Sequence, residues 1–287
     1  MWYNAVMGSV RVKSYAKLNL TLNITGVKDG YHLLDSVVTT VDLYDAIVIK
    51  KRKDKQVTIT MHGQGSEAIF FEENNAVRAA KAFIGAYATC GCDIKVYKNI
   101  PLGLGMGGSS ADAAGVLNGL SKLYGVNDTA GLKLLADSVG SDTRYMLSGG
   151  YARLFGRGDE VMPIESSLKL NFLLLAPKEG VSTALCYKTF DSLSKLGGDS
   201  ESAQEAIEKE DKYSLKLNNA LFPAAKTLSS EVGEAYEELK SFDPLAVNMT
   251  GSGSGVYALF ENEQFCQYAK SRYTGKFTPY ILKTYLP

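Results

Sequence analysis

The most chemically suggestive segment of this 287-residue chain is the glycine-dense turn at residues 100–115, which reads IPLGLGMGGSSADAAG. Glycine has no Cβ, so successive backbone N–H groups can approach an anion closely. A helix that begins here, capped by one of the two serines, would turn its positive end toward the same anion. The turn therefore predicts a cradle for phosphate oxygens, built from Gly103, Gly105, Gly107, Gly108, Ser109 and Ser110.

Three other interpretations of this turn fit less well. Its glycines satisfy G-x-G-x-x-G, but a dinucleotide fold then needs a strand that ends in an acid. Residues 127–139 instead have helical apolar spacing, with Asn127 or Asp128 as N-cap. The P-loop pattern needs a lysine that is absent. A turn without a ligand is disfavoured because its glycines cost folding entropy without a return in packing.

Asp142 is the candidate for a group that deprotonates or orients an attacking hydroxyl. It follows a predicted helix end at Gly140, and Ser141 can cap a short helix over residues 143–147. The positive end of that helix would keep the carboxylate ionised. Phosphoryl transfer asks for little more than such a group, together with positioning and charge neutralisation. Spacing alone, however, favours an ordinary first-turn acid.

Lys17 and Asn19 belong to a segment in which apolar residues recur at even positions from Val10 to Ile24. This alternation predicts a long half-buried strand, with the two polar side chains about 7 Å apart on one face. Lys17 could fix Asp142, lower the pKa of an alcohol or contact a transferred phosphate, while Asn19 could bind substrate. A solvated lysine is the alternative.

Two further segments could contact a substrate. Tyr31 and His32 follow a turn at residues 26–30 and could offer a pyrimidine an aromatic face and polar partners, although plain packing is the alternative. The run Gly251-Ser252-Gly253-Ser254-Gly255 has more glycines than an ordinary hairpin needs. It predicts close approach to a ligand at Gly251 and Gly253.

Cysteine and histidine usage predicts no metal centre. Cys90 and Cys92 form a lone C-x-C without a second pair, and His32 and His62 are the only histidines. Asp112 is the third residue after Ser109 and fits a capping box, which we favour. The alternative is contact with a magnesium ion on a triphosphate, with Ser110 helping.

Composition argues against partners recognised by bulk charge. Lys and Arg together number 31, as do Asp and Glu, so no net field gathers nucleic acid or an anionic membrane. No apolar stretch is long enough to span a bilayer, and no signal-type core follows the first basic residues. We therefore expect a cytoplasmic enzyme that binds small molecules, with no nucleic-acid or membrane partner; the sequence leaves the oligomeric state open.

The elements that must position these residues are strands followed by alternating helices and strands. Strand-like runs cover residues 36–50, 56–61, 93–97 and 168–176, helix-like runs cover 75–88, 113–123, 203–212 and 231–240, and a strand–loop–strand covers 246–260. Antiparallel strands before alternating helices predict an α+β fold.

The pattern P-x-G-x-G-x-G-G-S-S-x-D-A-A, which begins at Pro101, resembles the phosphate loop of the GHMP kinases, the galacto-, homoserine, mevalonate and phosphomevalonate kinase superfamily. Other motifs resemble its 4-diphosphocytidyl-2-C-methyl-D-erythritol kinase branch, in the same order and over nearly the whole chain. They are AKLNLTLNITGVKDGYH from Ala16, NNAVRAA from Asn74, VGSDTRYMLSGGYARLFGRGDE from Val139, LNNAL from Leu217 and MTGSGSGVYALF from Met249.

The resemblance implies a fold and a reaction. It implies a ribosomal-protein-S5 domain-2-like N-terminal domain at residues 1–159, a ferredoxin-like C-terminal domain at residues 160–287, and an active site between them. It further implies a kinase that uses ATP and Mg²⁺ on a cytidine diphosphate-linked alcohol. Asp142 would be catalytic with Lys17, Pro101 and Asn74 would join the ATP site, and Thr183 and Tyr187 would contact substrate.

Four positions depart from the pattern of that branch. Ser109 and Ala111 stand where a glycine and a serine are usual, Arg144 follows the Gly-Ser-Asp motif, and Val38 replaces a frequent aromatic. The first two favour, as an alternative, a kinase for mevalonate, homoserine or a sugar. The last two favour a catalytically inactive relative that still binds nucleotide.

Overall fold

The computed structural model describes residues 8–63, 65–66, 71–193 and 196–287. The strands are β1 (Ser9–Asn19), β2 (Thr21–Lys28), β3 (Tyr31–Lys51), β4 (Val57–His62), β5 (Cys92–Tyr97), β6 (Tyr151–Gly156), β7 (Glu160–Ile164), β8 (Asn171–Ala176), β9 (Asn218–Asn219), β10 (Ala246–Met249), β11 (Val256–Phe260) and β12 (Thr278–Lys283). The helices are α1 (Asn75–Tyr87), α2 (Gly108–Tyr124), α3 (Thr129–Val139), α4 (Thr143–Ser148), α5 (Thr183–Leu193), α6 (Glu201–Glu208), α7 (Phe222–Leu228), α8 (Ser230–Lys240) and α9 (Glu263–Arg272).

The first sheet is built around β3, which is longer than the predicted run at 36–50. One edge of β3 pairs antiparallel with β1 and then β2, and the other edge pairs with β6 and β5. The single strand predicted over residues 10–24 is interrupted at Leu20, where β1 ends and β2 begins, although both segments are strands that pair antiparallel with β3. The turn between β2 and β3 is also narrower than predicted: Asp29 and Gly30 both have positive φ, as a two-residue hairpin requires.

Helices α1 and α2 cover the face of this sheet that carries Val10, Val12, Ile47 and Ile49, and α3 packs against both helices. The predicted signals for α3 are confirmed: Asp128 caps it through the backbone N–H of Gly131, and Gly140 ends it. Helix α2 ends at Gly125. Apolar residues that face the helices alternate with polar ones up to Tyr15. From Lys17 onward both faces of the strand are buried, because the second half of the chain covers the other face.

The second sheet is antiparallel throughout, in the order β10-β11-β8-β12. The two sheets share one hydrophobic core, to which the first contributes Leu18, Leu20 and Val37 and the second Phe172, Tyr257 and Leu282. The pair β9 and β2 also joins the two halves. Strand β7, just after the expected boundary at residue 159, pairs with β6 in the first sheet.

No helix among the described residues is both long and apolar enough to cross a membrane. All four cysteines are free thiols. Burial raises the pKa of the Cys92 thiol to about 12 and that of Cys186 to about 11, which keeps both protonated and unreactive at neutral pH.

Candidate active site

A cleft of about 1280 Å³ is lined by both halves of the chain. It brings together many of the residues that the sequence singled out. They are Lys17, Asn19, Tyr31, His32, Gly105, Gly107, Asp142, Thr183, Tyr187 and Gly251. Other predicted residues lie outside this lining: Asn74, Pro101, Gly103, Gly108, Ser109, Ser110 and Gly253.

The glycine turn leads directly into α2, as predicted, but neither serine caps the helix. The N-cap is Gly107, with a φ of +72° and no side chain to offer. The first-turn N–H groups of a helix have no acceptor within the helix. Because no side chain caps α2, the positive end of this 17-residue helix is left open to an anion, and Gly107 lines the cleft.

Gly107 also leaves room for the side chain of Lys17. A Cβ at Gly107 would lie 2.4 Å from Cε of Met146 and 3.3 Å from Cγ of Lys17. The backbone N–H of Lys17 donates to the carbonyl of Met106 at 3.1 Å. The lysine therefore runs directly beneath the turn.

The second glycine cluster packs against the first. A Cβ at Gly105 would lie 2.1 Å from the carbonyl oxygen of Thr250, whose hydroxyl donates to the carbonyl of Gly105 at 3.2 Å. The N–H groups of Ser254 and Gly255 donate to carbonyls of the first turn at 3.1 and 3.2 Å. Much of the glycine content therefore serves this backbone-to-backbone contact, which the sequence did not reveal.

Asp142 and Lys17 form the charged centre of the cleft. Oδ2 of Asp142 lies 3.6 Å from Nζ of Lys17, with side chains 30% and 5% exposed. Asp142 occupies the N-cap position of α4, yet neither it nor Ser141 makes a side-chain capping bond, so the predicted Ser141 cap is wrong. The carboxylate is therefore available to a substrate.

Asn19 is held mainly by the protein itself. Its Nδ2 donates to the Ser36 hydroxyl at 2.8 Å, and its Oδ1 accepts from Nζ of Lys17 and from the N–H of Gly251, the latter at 3.0 Å. Asn19 thus links the strand that carries the lysine to the second glycine cluster.

Aromatic rings gather at the other end of the cleft. The rings of His32 and Tyr187 are 4.8 Å apart, and Tyr31 is 57% exposed with the guanidinium of Arg157 4.8 Å from its centroid. The hydroxyl of Thr183 lies 2.9 Å from that of Ser252. Burial, with a smaller effect of the Asp142 charge, raises the pKa of the Tyr187 phenol, which keeps it neutral.

Asp112 is not a cap, contrary to our expectation. It is buried under the glycine turn, and Nζ of Lys98 donates to it at 2.7 Å and also to Asp45. Asp45 accepts two backbone N–H groups from residues 99 and 100 as well. Burial raises the pKa of Asp112 to about 7, against the opposing effect of Lys98. The cluster connects both ends of the turn.

Asn74 and Ser110, two further predicted site residues, do not line the cleft. Asn74 is the N-cap of α1, accepting from the N–H of Ala76 at 2.9 Å. Ser110 lies in the first turn of α2, near Gly140 at the rim of the cleft. Among the described residues no group of three or more His, Cys, Asp or Glu side chains could hold a metal ion.

Two of the sequence departures, Val38 and Arg144, do not line the cleft. Val38 is fully buried in a cluster with Tyr145 and Ala152. Arg144 pairs with Asp137, with its Nε 2.7 Å from Oδ1.

Sequence reasoning missed three cations that line the cleft, Arg78, Arg157 and Lys188. Arg157 lies in the turn between β6 and β7, and a Cβ at the next residue, Gly158, would be 3.8 Å from Oδ1 of Asp142. The only signal for it was its place within the FGRGDE segment.

The chain is similar to known kinases along most of its length. The family described as GHMP kinases N terminal domain matches residues 74–151, and GHMP kinases C terminal matches residues 199–267. The 4-diphosphocytidyl-2-C-methyl-D-erythritol kinase of Clostridium beijerinckii is 36% identical over 261 residues, which cover 88% of this chain and 91% of that protein. The Bacillus subtilis enzyme of the same name is 33% identical, with 89% of each chain covered.

Solved structures of two kinases superpose on most of this chain. A 4-(cytidine 5'-diphospho)-2C-methyl-D-erythritol kinase superposes with a TM-score of 0.78 at 28% identity, over 95% of this chain and 98% of that one. A homoserine kinase from Cytophaga hutchinsonii superposes with a TM-score of 0.73 at 17% identity, over 100% and 97% of the two chains, and shares the fold.

Proposed function

The chain belongs to the family of 4-diphosphocytidyl-2-C-methyl-D-erythritol kinases, and we propose that it transfers a phosphoryl group from ATP to the 2-hydroxyl of that cytidylyl alcohol, in the non-mevalonate isoprenoid pathway. The observation that carries the proposal is the Lys17–Asp142 pair, 3.6 Å apart, between an open helix N-terminus and a cluster of aromatic rings. A triphosphate fits the first and a pyrimidine fits the second.

Asp142 would accept or orient the proton of the attacking hydroxyl. Its carboxylate makes no capping bond and is partly exposed to the cleft. Lys17 would hold that carboxylate and the incoming phosphoryl oxygens at once, since its ammonium lies 3.6 Å from Asp142 and its Cε would lie 3.4 Å from a Cβ at Gly107. Such positioning and charge neutralisation are the main contributions that a protein makes to phosphoryl transfer.

The residues present fit a triphosphate and its metal ion. The uncapped N-terminus of α2, with Gly103, Gly105, Gly107, Gly108 and Ser109 around it, would bind phosphate oxygens through backbone N–H groups. ATP would supply the γ-phosphoryl group, with Mg²⁺ neutralising its oxygens. In P-loop NTPases a Ser or Thr hydroxyl helps to hold the Mg²⁺ ion of the bound triphosphate, and we assign the same kind of contact to the Ser110 hydroxyl.

At the other end, Tyr31, His32 and Tyr187 would bind the cytosine, and Thr183 would contact the adjoining sugar. Arg157 lies over Tyr31, and its turn reaches Asp142. A guanidinium between a base site and a catalytic carboxylate is well placed for a diphosphate, which it can bind in bidentate fashion. Asn74 and Pro101 remain predicted ATP contacts.

We also propose the finer classification of the two domains. Residues 1–159 would form an S5 domain-2-like domain and residues 160–287 a ferredoxin-like one. The order β10-β11-β8-β12, antiparallel and with helices in the β8 to β10 and β11 to β12 connections, supports the second assignment.

A substrate panel tests the proposed function. With labelled ATP, the protein should phosphorylate 4-diphosphocytidyl-2-C-methyl-D-erythritol and leave mevalonate, homoserine and galactose unchanged. Turnover of mevalonate or homoserine alone would support the other kinase assignment, to which Ser109 and Ala111 point. Nucleotide binding without any turnover would identify an inactive relative.

A further inference from the structure

Helix α5 fixes the ring of His32 from three sides. Its residues Tyr187, Phe190 and Asp191 share one face, because they are three and four positions apart. The Tyr187 ring lies 4.8 Å from the imidazole at 30°, the Phe190 ring meets it edge-on at 6.1 Å, and Oδ1 of Asp191 is 2.7 Å from Nε2. The His32 side chain is only 14% exposed. This burial and the three contacts leave the imidazole little freedom to rotate.

The contact with Asp191 determines which nitrogen carries the proton. An ionised carboxylate can only accept hydrogen bonds, so Nε2 of His32 must be the donor. In a neutral imidazole the other nitrogen is then an acceptor. Nδ1 has no hydrogen-bond partner in the described parts of the chain, and His32 lines the cleft.

We propose that Asp191 is a positioning residue that makes the site selective for cytosine over uracil, an inference that rests on the proposed function. By holding His32 as the Nε2–H tautomer, Asp191 leaves Nδ1 to accept a hydrogen bond from the exocyclic amino group of cytosine. Uracil has a carbonyl oxygen at that position, and two facing acceptors repel each other. A site that loses a paired hydrogen bond in this way discriminates strongly, so we expect about a ten- to hundredfold preference.

Because the chain has only two histidines, the tautomer of His32 can be measured directly. Nitrogen NMR of histidine-labelled protein at pH 8 gives one set of ring signals for His32 and one for His62, and His62→Gln assigns them. In the wild-type protein the His32 signals should be those of the Nε2–H tautomer. Asp191→Ala should give a mixture of both tautomers. Signals of the Nδ1–H tautomer or of an imidazolium in the wild type would overturn the proposal.

Binding of cytidine and uridine diphosphates, measured by calorimetry, gives the functional result. The wild-type preference for the cytidine nucleotide should fall to about threefold or less in Asp191→Ala, while ATP affinity stays within twofold. Asp191→Asn retains an acceptor oxygen and should keep part of the preference. The control Asp199→Asn removes an exposed carboxylate outside the cleft lining and should keep all of it.

The outcomes separate the two proposals. An unchanged nucleotide preference in a folded Asp191→Ala protein would refute the role of Asp191 alone. A wild-type protein that phosphorylates the cytidylyl alcohol yet binds both diphosphates equally would do the same. If the wild type bound neither diphosphate and did not turn over the cytidylyl alcohol, the proposed function would fail and this inference with it.

Discussion

The strongest test of the catalytic centre is a double-mutant cycle on Asp142 and Lys17. Asp142→Asn keeps the shape of the side chain and removes its charge, and Lys17→Met does the same for the lysine. If the carboxylate handles the hydroxyl proton, each single change should lower kcat by roughly two to four orders of magnitude. ATP affinity should change far less in Asp142→Asn, because in the proposed mechanism the carboxylate would contact the acceptor rather than the nucleotide.

The separation of the pair sets the expected coupling. At 3.6 Å, opposite unit charges attract by about 1 kcal/mol in water and by about 5 kcal/mol at an effective dielectric constant of about 20. With Asp142 30% exposed and Lys17 5% exposed, the pair lies between these limits. The double mutant should therefore lose less than the product of the single losses, by a factor between about ten and a few thousand.

Steady-state rates of the four proteins, with ATP affinity from separate titrations, measure this coupling. Asp137→Asn is the matched control, because Asp137 also lines the cleft but pairs with Arg144; its kcat should stay within about tenfold. Full activity in Asp142→Asn would assign proton transfer to another group. Strictly multiplicative losses would show that the two residues act independently.

Three further predictions concern the surrounding structure. Gly105→Ala forces a Cβ to within 2.1 Å of the Thr250 carbonyl at a φ of +73°, so it should lower the unfolding free energy by roughly 1–3 kcal/mol or more in thermal denaturation. Arg157→Gln should weaken binding of cytidine diphosphate by about tenfold but leave cytidine unaffected in calorimetry, because only the diphosphate needs the guanidinium; equal losses for both ligands would contradict this. Lys98→Met leaves two buried carboxylates without their cation and should destabilise the fold by about 3–5 kcal/mol in urea unfolding, whereas wild-type stability would show that the cluster is unimportant.

Local signals in the sequence predicted local structure well. The spacing of apolar residues located α2 and α3, and the cap at Asp128 and the end at Gly140 are as expected. These features depend on residues within a few positions of one another, which spacing rules describe. The same rules failed at Asp112, because its partners Lys98 and Asp45 come from distant positions and compete with a cap.

The site could be predicted only in part for the same reason. Chemically distinctive residues such as Lys17, Asp142 and His32 stood out by type and motif, and the structure brings them to one cleft. Arg157 and Asp191 did not stand out, because an arginine in a turn or an aspartate on a helix is ordinary until its neighbours are known. Their importance arises from long-range contacts with Tyr31 and His32.

The contact between the two glycine clusters has a consequence for catalysis. In the proposed assignment, Gly105 belongs to the turn that would face ATP, and Gly251 belongs to the half of the chain that would face the alcohol. Asn19 bonds to both Lys17 and Gly251, so a displacement of one half would be transmitted to Lys17. In-line transfer tolerates misplacement of only about 1 Å before rates fall a hundredfold. Rigid backbone contacts, which allow no side chain between them, are a physical means of holding the two substrates in that alignment.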